Sequence, residues 1–456
     1  MSPPARGWAL AVSSLATALL LLDVTVVYVA LPEIQRDLGA SFTELQWVVD
    51  AYALALAAVL LTCGTLADRI GRRRVFAAGL VVFAVASALC AAAPDATALD
   101  LARAVQGLGA AAMFATSLSL ISARYPPGDR GFAFAVWGAV SGAALAVGPV
   151  VGGAVLELAD WRWAFWLNLP LCAGLLAATL ARVGESRAAA PRRPDLTGAV
   201  LFTVGAGLLV AGLLRGEPDG WGSPAIVASL AGAAAALGLF TVVELRRDEP
   251  MLDLRLLRRG DFAGTALVAF SQSFALYPMF LFLAIYLQAV ERFDALATGV
   301  RMLPVTLVLF AVAPLSGRLT ARLPLRVPLT AGLVVIGTGL LLMRAVDADS
   351  GWQALLPGLL TGGAGIGIIS PALAAAMVGV LSEDLAALAT SVNNTFRQLG
   401  IAIGIAVLGA IFSARGGDAL AAAPVVAGLD AVFLAGAGVA LLSAPVAWRA
   451  LGDLRA

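Results

Sequence analysis

The chain has 456 residues, 61% of them hydrophobic and 13% charged, with a mean hydropathy of +0.93 and a formal net charge of +1. A soluble fold cannot hide that much apolar surface, and so balanced a charge gives no footprint for nucleic acid. Every basic residue is Arg, and with neither Lys nor His in the chain a proton carrier at physiological pH has to be a carboxylate.

Fourteen apolar runs reach the roughly 20 residues that a membrane helix needs. They cover 8–31, 45–66, 74–94, 97–122, 131–156, 161–182, 196–214, 222–244, 262–290, 296–317, 326–346, 353–379, 386–413 and 428–448. Strand-like alternation is absent, so the sequence predicts an all-α polytopic membrane protein. The first run is too long for a signal peptide and lacks a small-residue cleavage site. Asp23 interrupts it, and a carboxylate inside a bilayer is costly enough to mark function, with a structural ion pair as the alternative. Asp50 lies one turn into the second run beside Trp47 and Tyr52, and reads either as a functional acid or as an interfacial residue.

Between the second and third runs stands Gly64–Phe76, GTLADRIGRRRVF, a short Arg-dense hairpin. Asp68, Arg69, Arg72 and Arg73 in it, with Gly64 and Gly71, read as a conformational latch, since a loop acid pairs with Arg and with a helix N-terminus. Arg103, in the fourth run, cannot lose its charge and requires a carboxylate or carbonyl partner. In the fifth run, Gly148, Pro149, Gly152 and Gly153 permit close helix approach and a bend, which suits a gate or ordinary tight packing. Cys63, Cys90 and Cys172 fall inside runs and read as packing residues, with no metal-binding or cofactor-binding spacing nearby. In the ninth run, Gln272, Phe274, Tyr277, Phe280 and Tyr286 suit a broad apolar pocket or core packing. Runs nine to fourteen hold no clear central carboxylate, which places proton chemistry in the first half.

Placing the N-terminus in the cytoplasm puts 21 of the 30 Arg residues inside. Only Arg36, Arg162, Arg215, Arg292, Arg301, Arg344 and Arg415 fall outside, while Arg103 and Arg397 lie in or near the membrane. Both termini are then cytoplasmic. The segments GTLADRIGRR (64–73) and GRLTARLPLR (317–326) form a repeat, with Ala321 replacing Asp68 in the second copy. Each follows the second helix of a six-helix half, a known transporter plan. The spacing leaves room for two extra helices, 196–214 and 222–244. The expected organisation is a bundle over 1–186, a linker with two extra helices over 187–257, and a second bundle over 258–456.

The hairpin resembles the signature loop of the major facilitator superfamily, Gly-x-Leu-Ala-Asp-Arg-x-Gly-Arg-Arg. Further segments resemble the fourteen-helix drug:proton antiporters of that superfamily: LDVTVVYVALP (22–32), with Tyr28 where the family usually has Asn; Arg103-Ala-Val-Gln-Gly107; Gly148-Pro-Val-Val-Gly-Gly153; Trp161–Pro170; and, more weakly, Asn393–Gly400. The ordered set spans most of the chain. The resemblance implies a major facilitator fold and a proton-coupled exporter of amphipathic drugs, antibiotics or related small molecules, working by alternating access in the plasma membrane. It makes Asp23 the partner of Arg103 and a proton-coupling site, with Asp50 as a further proton or cationic-substrate site. Tyr28, Gln272, Tyr277, Asn393 and Asn394 are the other substrate-binding candidates. No cofactor is implied, and the expected partners are a small-molecule substrate, protons and lipid, with the chain acting as a monomer. An uptake symporter and an exporter of an endogenous lipid or metabolite stand as alternatives. A membrane enzyme lacks a clustered nucleophile or base, and a nucleotide-driven pump lacks a phosphate-binding loop.

Overall fold

The computed structural model describes residues 3–188, 194–320, 322–347, 350–379, 383–416 and 421–452. They form fifteen α-helices: α1 (Pro3–Leu38), α2 (Phe42–Ile70), α3 (Arg72–Ala91), α4 (Ala96–Ser122), α5 (Pro127–Leu158), α6 (Trp163–Trp166), α7 (Asn168–Arg182), α8 (Leu196–Asp219), α9 (Pro224–Arg246), α10 (Gly260–Ile285), α11 (Ala295–Thr320), α12 (Arg326–Met343), α13 (Leu356–Gly379), α14 (Glu383–Ser413) and α15 (Ala422–Leu451). With α6 and α7 joined into one span and a π-turn, Tyr286–Val290, extending α10, fourteen segments are long and apolar enough to cross a bilayer. Each coincides with one of the fourteen runs, and no strand occurs among the described residues.

Local chemistry sets the helix ends. Gly39 takes a positive φ and ends α1, and Ser41 then opens α2 with a capping box. In it the Glu44 amide donates to Ser41 Oγ (3.3 Å), and the Ser41 amide donates to the Glu44 carboxylate (2.7 Å). Asp95 caps α4, accepting from the Ala98 amide at 2.8 Å. Helix α1 runs past its apolar run through Glu33–Leu38, because polar residues beyond the hydrocarbon still gain backbone hydrogen bonds by continuing a helix.

By contact density the chain divides into two compact units, Met1–Thr203 with Arg246–Met251, and Val204–Leu245 with Leu252–Ala456. In the first, α2, α3 and α4 pack closely because small residues let their backbones meet; a Cβ at Gly107 would collide with the Tyr52 carbonyl. In the second, a Cβ at Gly400 would likewise strike the Phe270 carbonyl of α10. Helix α12 meets α15 through Gly337 and Leu441, and Arg344 donates to both oxygens of Asp430 (2.7 and 3.1 Å).

Helices α8 and α9 form the expected extra hairpin. Ser229 Oγ donates to the Leu208 carbonyl at 2.8 Å. At its base, Asp195 accepts from the Gly198 amide at 2.8 Å and pairs with Arg247, whose other nitrogen donates to Thr197 Oγ1 at 2.9 Å. Val200, Val204, Val227 and Leu239 are largely exposed, as lipid-facing residues are. Cysteines placed along 200–212 should therefore show no protection by substrate from thiol labelling; strong protection along one helical face would contradict this.

Candidate functional site

The polar centre of the first unit lies among α1, α2, α3, α4 and α7. Asp23 and Arg103 are both buried, and Arg103 Nη1 donates to Asp23 Oδ2 at 2.6 Å. A guanidinium without water needs further acceptors. Its Nη1 also donates to Gln106 Oε1 (2.6 Å) and its Nε to the Val48 carbonyl (2.9 Å). Its planar face lies 4.4 Å from the Tyr52 ring centroid.

The second carboxylate oxygen is held by neutral groups. Asp23 Oδ1 accepts from Gln106 Nε2 (2.9 Å) and from Asn168 Nδ2 (2.7 Å). Both amides also donate to Ser87 Oγ, at 2.9 and 3.3 Å, and Ser87 passes its own proton to the Phe83 carbonyl at 2.8 Å. The network fixes the amide orientations: Gln106 must turn its oxygen to Arg103, so its nitrogen faces Asp23. Of the roughly four acceptor positions on a carboxylate, three are filled, and the open one is on Oδ2, beside the guanidinium. The group is thus a desolvated carboxylate with one acceptor position left open.

Asp50 is as buried as Asp23, yet neither of its oxygens has a hydrogen-bond partner among the described residues. Tyr28 is buried in α1. In the second unit Gln272 and Asn393 are buried, while Tyr277 and Asn394 are half-buried. Among the residues whose burial is described, no acidic side chain of α10–α15 is buried, and in the second unit the buried acid is Glu244 of α9.

The Arg-dense hairpin is a second cluster. Gly71, at φ +125°, separates α2 from α3. Asp68 pairs with Arg72 (2.8 Å), and its carbonyl accepts from the Ala188 amide (3.1 Å). Glu185, just beyond α7, supplies a further acid. Its carboxylate accepts from the Arg73 amide (3.0 Å), lies 3.8 Å from Arg74 Nε, and occupies the space a Cβ at Gly71 would need. Arg73 Nη1 donates to the Val183 carbonyl (3.2 Å) and Arg72 Nη1 to that of Ser119 (3.4 Å). Together they bind the α2–α3 turn to the ends of α4 and α7. Arg69 is exposed, and a Cβ at Gly64 would meet nothing within 4 Å. Ala321, of the second copy, lies outside the described residues.

Gly148 and Gly152 bring α5 onto α1: a Cβ at Gly148 would collide with Thr25, and one at Gly152 would press on Val26. Pro149 and Gly153 are buried beside them. Farther along, Trp161 Nε1 and Arg162 Nη1 both donate to Asp37 Oδ2 (2.9 and 2.7 Å), fastening the far end of α1 to the α5–α6 turn.

Sequence reasoning picked out Asp23 and Arg103 but not the roles of Gln106, Asn168, Ser87 and Glu185. Gln106 and Asn168 stand inside the quoted motifs, and an amide in an apolar run is the signal that marks them.

Fourteen apolar spans, with a desolvated carboxylate–guanidinium pair inside the first unit, mark a polytopic membrane transport protein. The family model described as Major Facilitator Superfamily matches residues 13–405. The Multidrug resistance protein Stp of Mycobacterium tuberculosis (strain CDC 1551 / Oshkosh) is 37% identical over 398 residues, covering 87% of this chain and 74% of that protein. The Puromycin resistance protein pur8 of Streptomyces alboniger is 37% identical over 414 residues, covering 90% and 82%. Among solved structures, a POT family transporter in complex with a thioalcohol conjugated peptide aligns with a TM-score of 0.71 at 16% identity, covering 96% of this chain and 94% of the other. That likeness shows the fold alone. The chain belongs to the Major Facilitator Superfamily.

Proposed function

We propose that this protein is a proton-driven efflux antiporter that exports amphipathic small molecules, antibiotics among them, from the cytoplasm by alternating access. The observation that supports this reading is the caged Asp23–Arg103 pair with one acceptor position of Oδ2 left open, which we assign to the coupling proton. The names of the relatives, multidrug and puromycin resistance proteins, support the export of drugs. In this reading Asp23 loads and releases the proton, Arg103 counters its charge, and Asp50 meets a second proton or a cationic part of the substrate. The bundles span 1–186 and 258–456, joined by the linker 187–257, and the protein works as a monomer in the plasma membrane. Asp68 with its Arg partners and Gly148–Gly153 act as the gate, with Glu185 joining the former.

The test is transport in proteoliposomes with an imposed pH gradient and a compound panel. Substrate accumulation driven by a gradient running opposite to substrate flow supports antiport; accumulation only when both run the same way, or none for any compound, overturns it. Reporter fusions settle orientation. Those within Gly216–Gly222 are expected to score extracellular and those after Ser186 cytoplasmic; the reverse pattern defeats the topology.

A further inference from the structure

Arg103 is not fully engaged by the Asp23 cage. Its Nη1 and Nε have acceptors, but Nη2 is buried and has no hydrogen-bond partner among the described residues. One turn earlier on α4 is a matching orphan: Asp100 Oδ1 is likewise buried and without a partner. Residues three apart on a helix are neighbours, with Cβ atoms about 5–6 Å apart. A helical side chain also leans toward the N-terminal turn, which for Arg103 is the turn of Asp100.

Packing sets the surroundings of the two. Arg103 reaches the Val48 carbonyl, and a Cβ at Gly107 would reach that of Tyr52, so α2 and α4 run parallel at an offset of 55 residues. The same offset brings Asp100 level with Leu45, near the start of α2. The charges of Glu44 and Arg103 act on it there. Glu44 is committed to capping α2, its Oε2 accepting from the Ser41 amide and hydroxyl at 2.7 Å each. Asp95 is committed to the Ala98 amide. Asp100 has no such task, and it is half-buried where Asp23 is sealed. The charges of Asp23, Arg103 and Asp100 all reach Cys90 of α3, so the three form one electrostatic cluster.

A proton on Asp23 removes the counter-charge of Arg103. The guanidinium cannot give up its own charge, and a buried charge left unpaired is costly. We infer that Asp100 is the second carboxylate of the coupling site, and that proton and guanidinium exchange places between it and Asp23. The inference rests on the efflux reading for the direction of the proton and deepens it by naming the proton's first station. In the proposed topology the start of α4 faces the outside, and the entering proton binds Asp100 there. It then passes to Asp23 Oδ2, the Arg103–Asp23 hydrogen bond breaks, and Arg103 Nη2 donates to the carboxylate left at Asp100. One cation, one anion and one neutral acid stand on each side of that exchange, so no net charge is created in the core. When Asp23 releases the proton inward, Arg103 returns to it.

The test is a double-mutant cycle of thermal stability on the full chain in detergent. Asp100→Asn alone should leave the melting temperature near wild type, because a neutral amide replaces an acid without a partner. In the Asp23→Asn background, where Asp100 is the remaining carboxylate for Arg103, Asp100→Asn should lower it by at least about 3 °C, and Asp100→Glu should not. Equal losses in both backgrounds, a loss in the wild type alone, or none in either overturns the exchange. The pH profile of transport is the second readout, and it decides alone if the Asp23→Asn proteins do not fold. The titratable and charged groups around Asp100 and Arg103 are Asp23 from α1, Glu44 and Tyr52 from α2 and Cys90 from α3, with Cys172 of α7 facing Asp23. Asp100→Asn leaves all of them in place. Without a second carboxylate for Arg103, loading Asp23 takes more acid, so the profile should move to an external pH lower by at least about half a unit, with Asp100→Glu near wild type. An unmoved profile overturns the proposal. A protein that shows the stability cycle but no gradient-driven transport keeps the exchange and loses the antiporter reading, so the two failures are separable.

Discussion

Asp23→Asn is expected to fold and insert, yet to lose all substrate accumulation against a gradient. Stability falls, because Arg103 loses its counter-charge and meets the asparagine amide instead, but the fold is retained because Arg103 keeps the Gln106 and Val48 oxygens and the Tyr52 ring. Coupling is lost because an amide takes up no proton in the physiological range. One proton moving down a one-unit pH gradient supplies about 1.4 kcal/mol, and one charge crossing 100 mV about 2.3 kcal/mol. Together these support accumulation of several hundredfold, and an uncoupled protein settles at a ratio of one. Reconstituted vesicles read the difference directly, with passive equilibration as the check that the variant is intact. Wild-type accumulation by Asp23→Asn would move the proton site elsewhere, to Asp50 first.

The second large effect is on stability. Arg103→Ala removes the counter-charge from a carboxylate that has no water, and breaking one partner of a buried pair costs about 3–5 kcal/mol. The expected result is a large fall in thermal stability in detergent and in the yield of inserted protein. The double change Arg103→Ala with Asp23→Asn should recover most of that loss, since no unpaired charge remains, while transport stays uncoupled. A double variant no more stable than Arg103→Ala would show that Arg103 acts through packing on Tyr52 and Phe165 rather than through charge. Comparison of the four proteins isolates the pair's interaction energy.

The spans were legible because the bilayer imposes one simple requirement, about 20 apolar residues without a break, and this chain meets it fourteen times. Asp23 and Arg103 were legible for the converse reason, since charge in such a run stands out. Asn168 and Ser87 were not, because their meaning lies in convergence: α4 and α7 bring side chains to the carboxylate on α1, Ser87 of α3 holds both amides, and no spacing along the chain encodes that. Glu185 escaped for a different reason. It lies in a charged connection where one more acid is unremarkable, and only folding places it at the start of α3. Asp50 was weighed between a functional acid and an interfacial residue. It is fully buried, and its carboxylate has no hydrogen-bond partner among the described residues.

The clasp between Asp195 and Arg247 bears on how separable the extra hairpin is. The chain leaves for the α8–α9 hairpin and comes back at almost one point, its two ends within side-chain reach of each other. A segment whose ends coincide can be gained or excised without displacing what lies on either side, which is why insertions are tolerated at such places. The hairpin therefore has the geometry of a removable cassette, and joining the chain across that clasp is the natural route to a minimal twelve-span version of this protein.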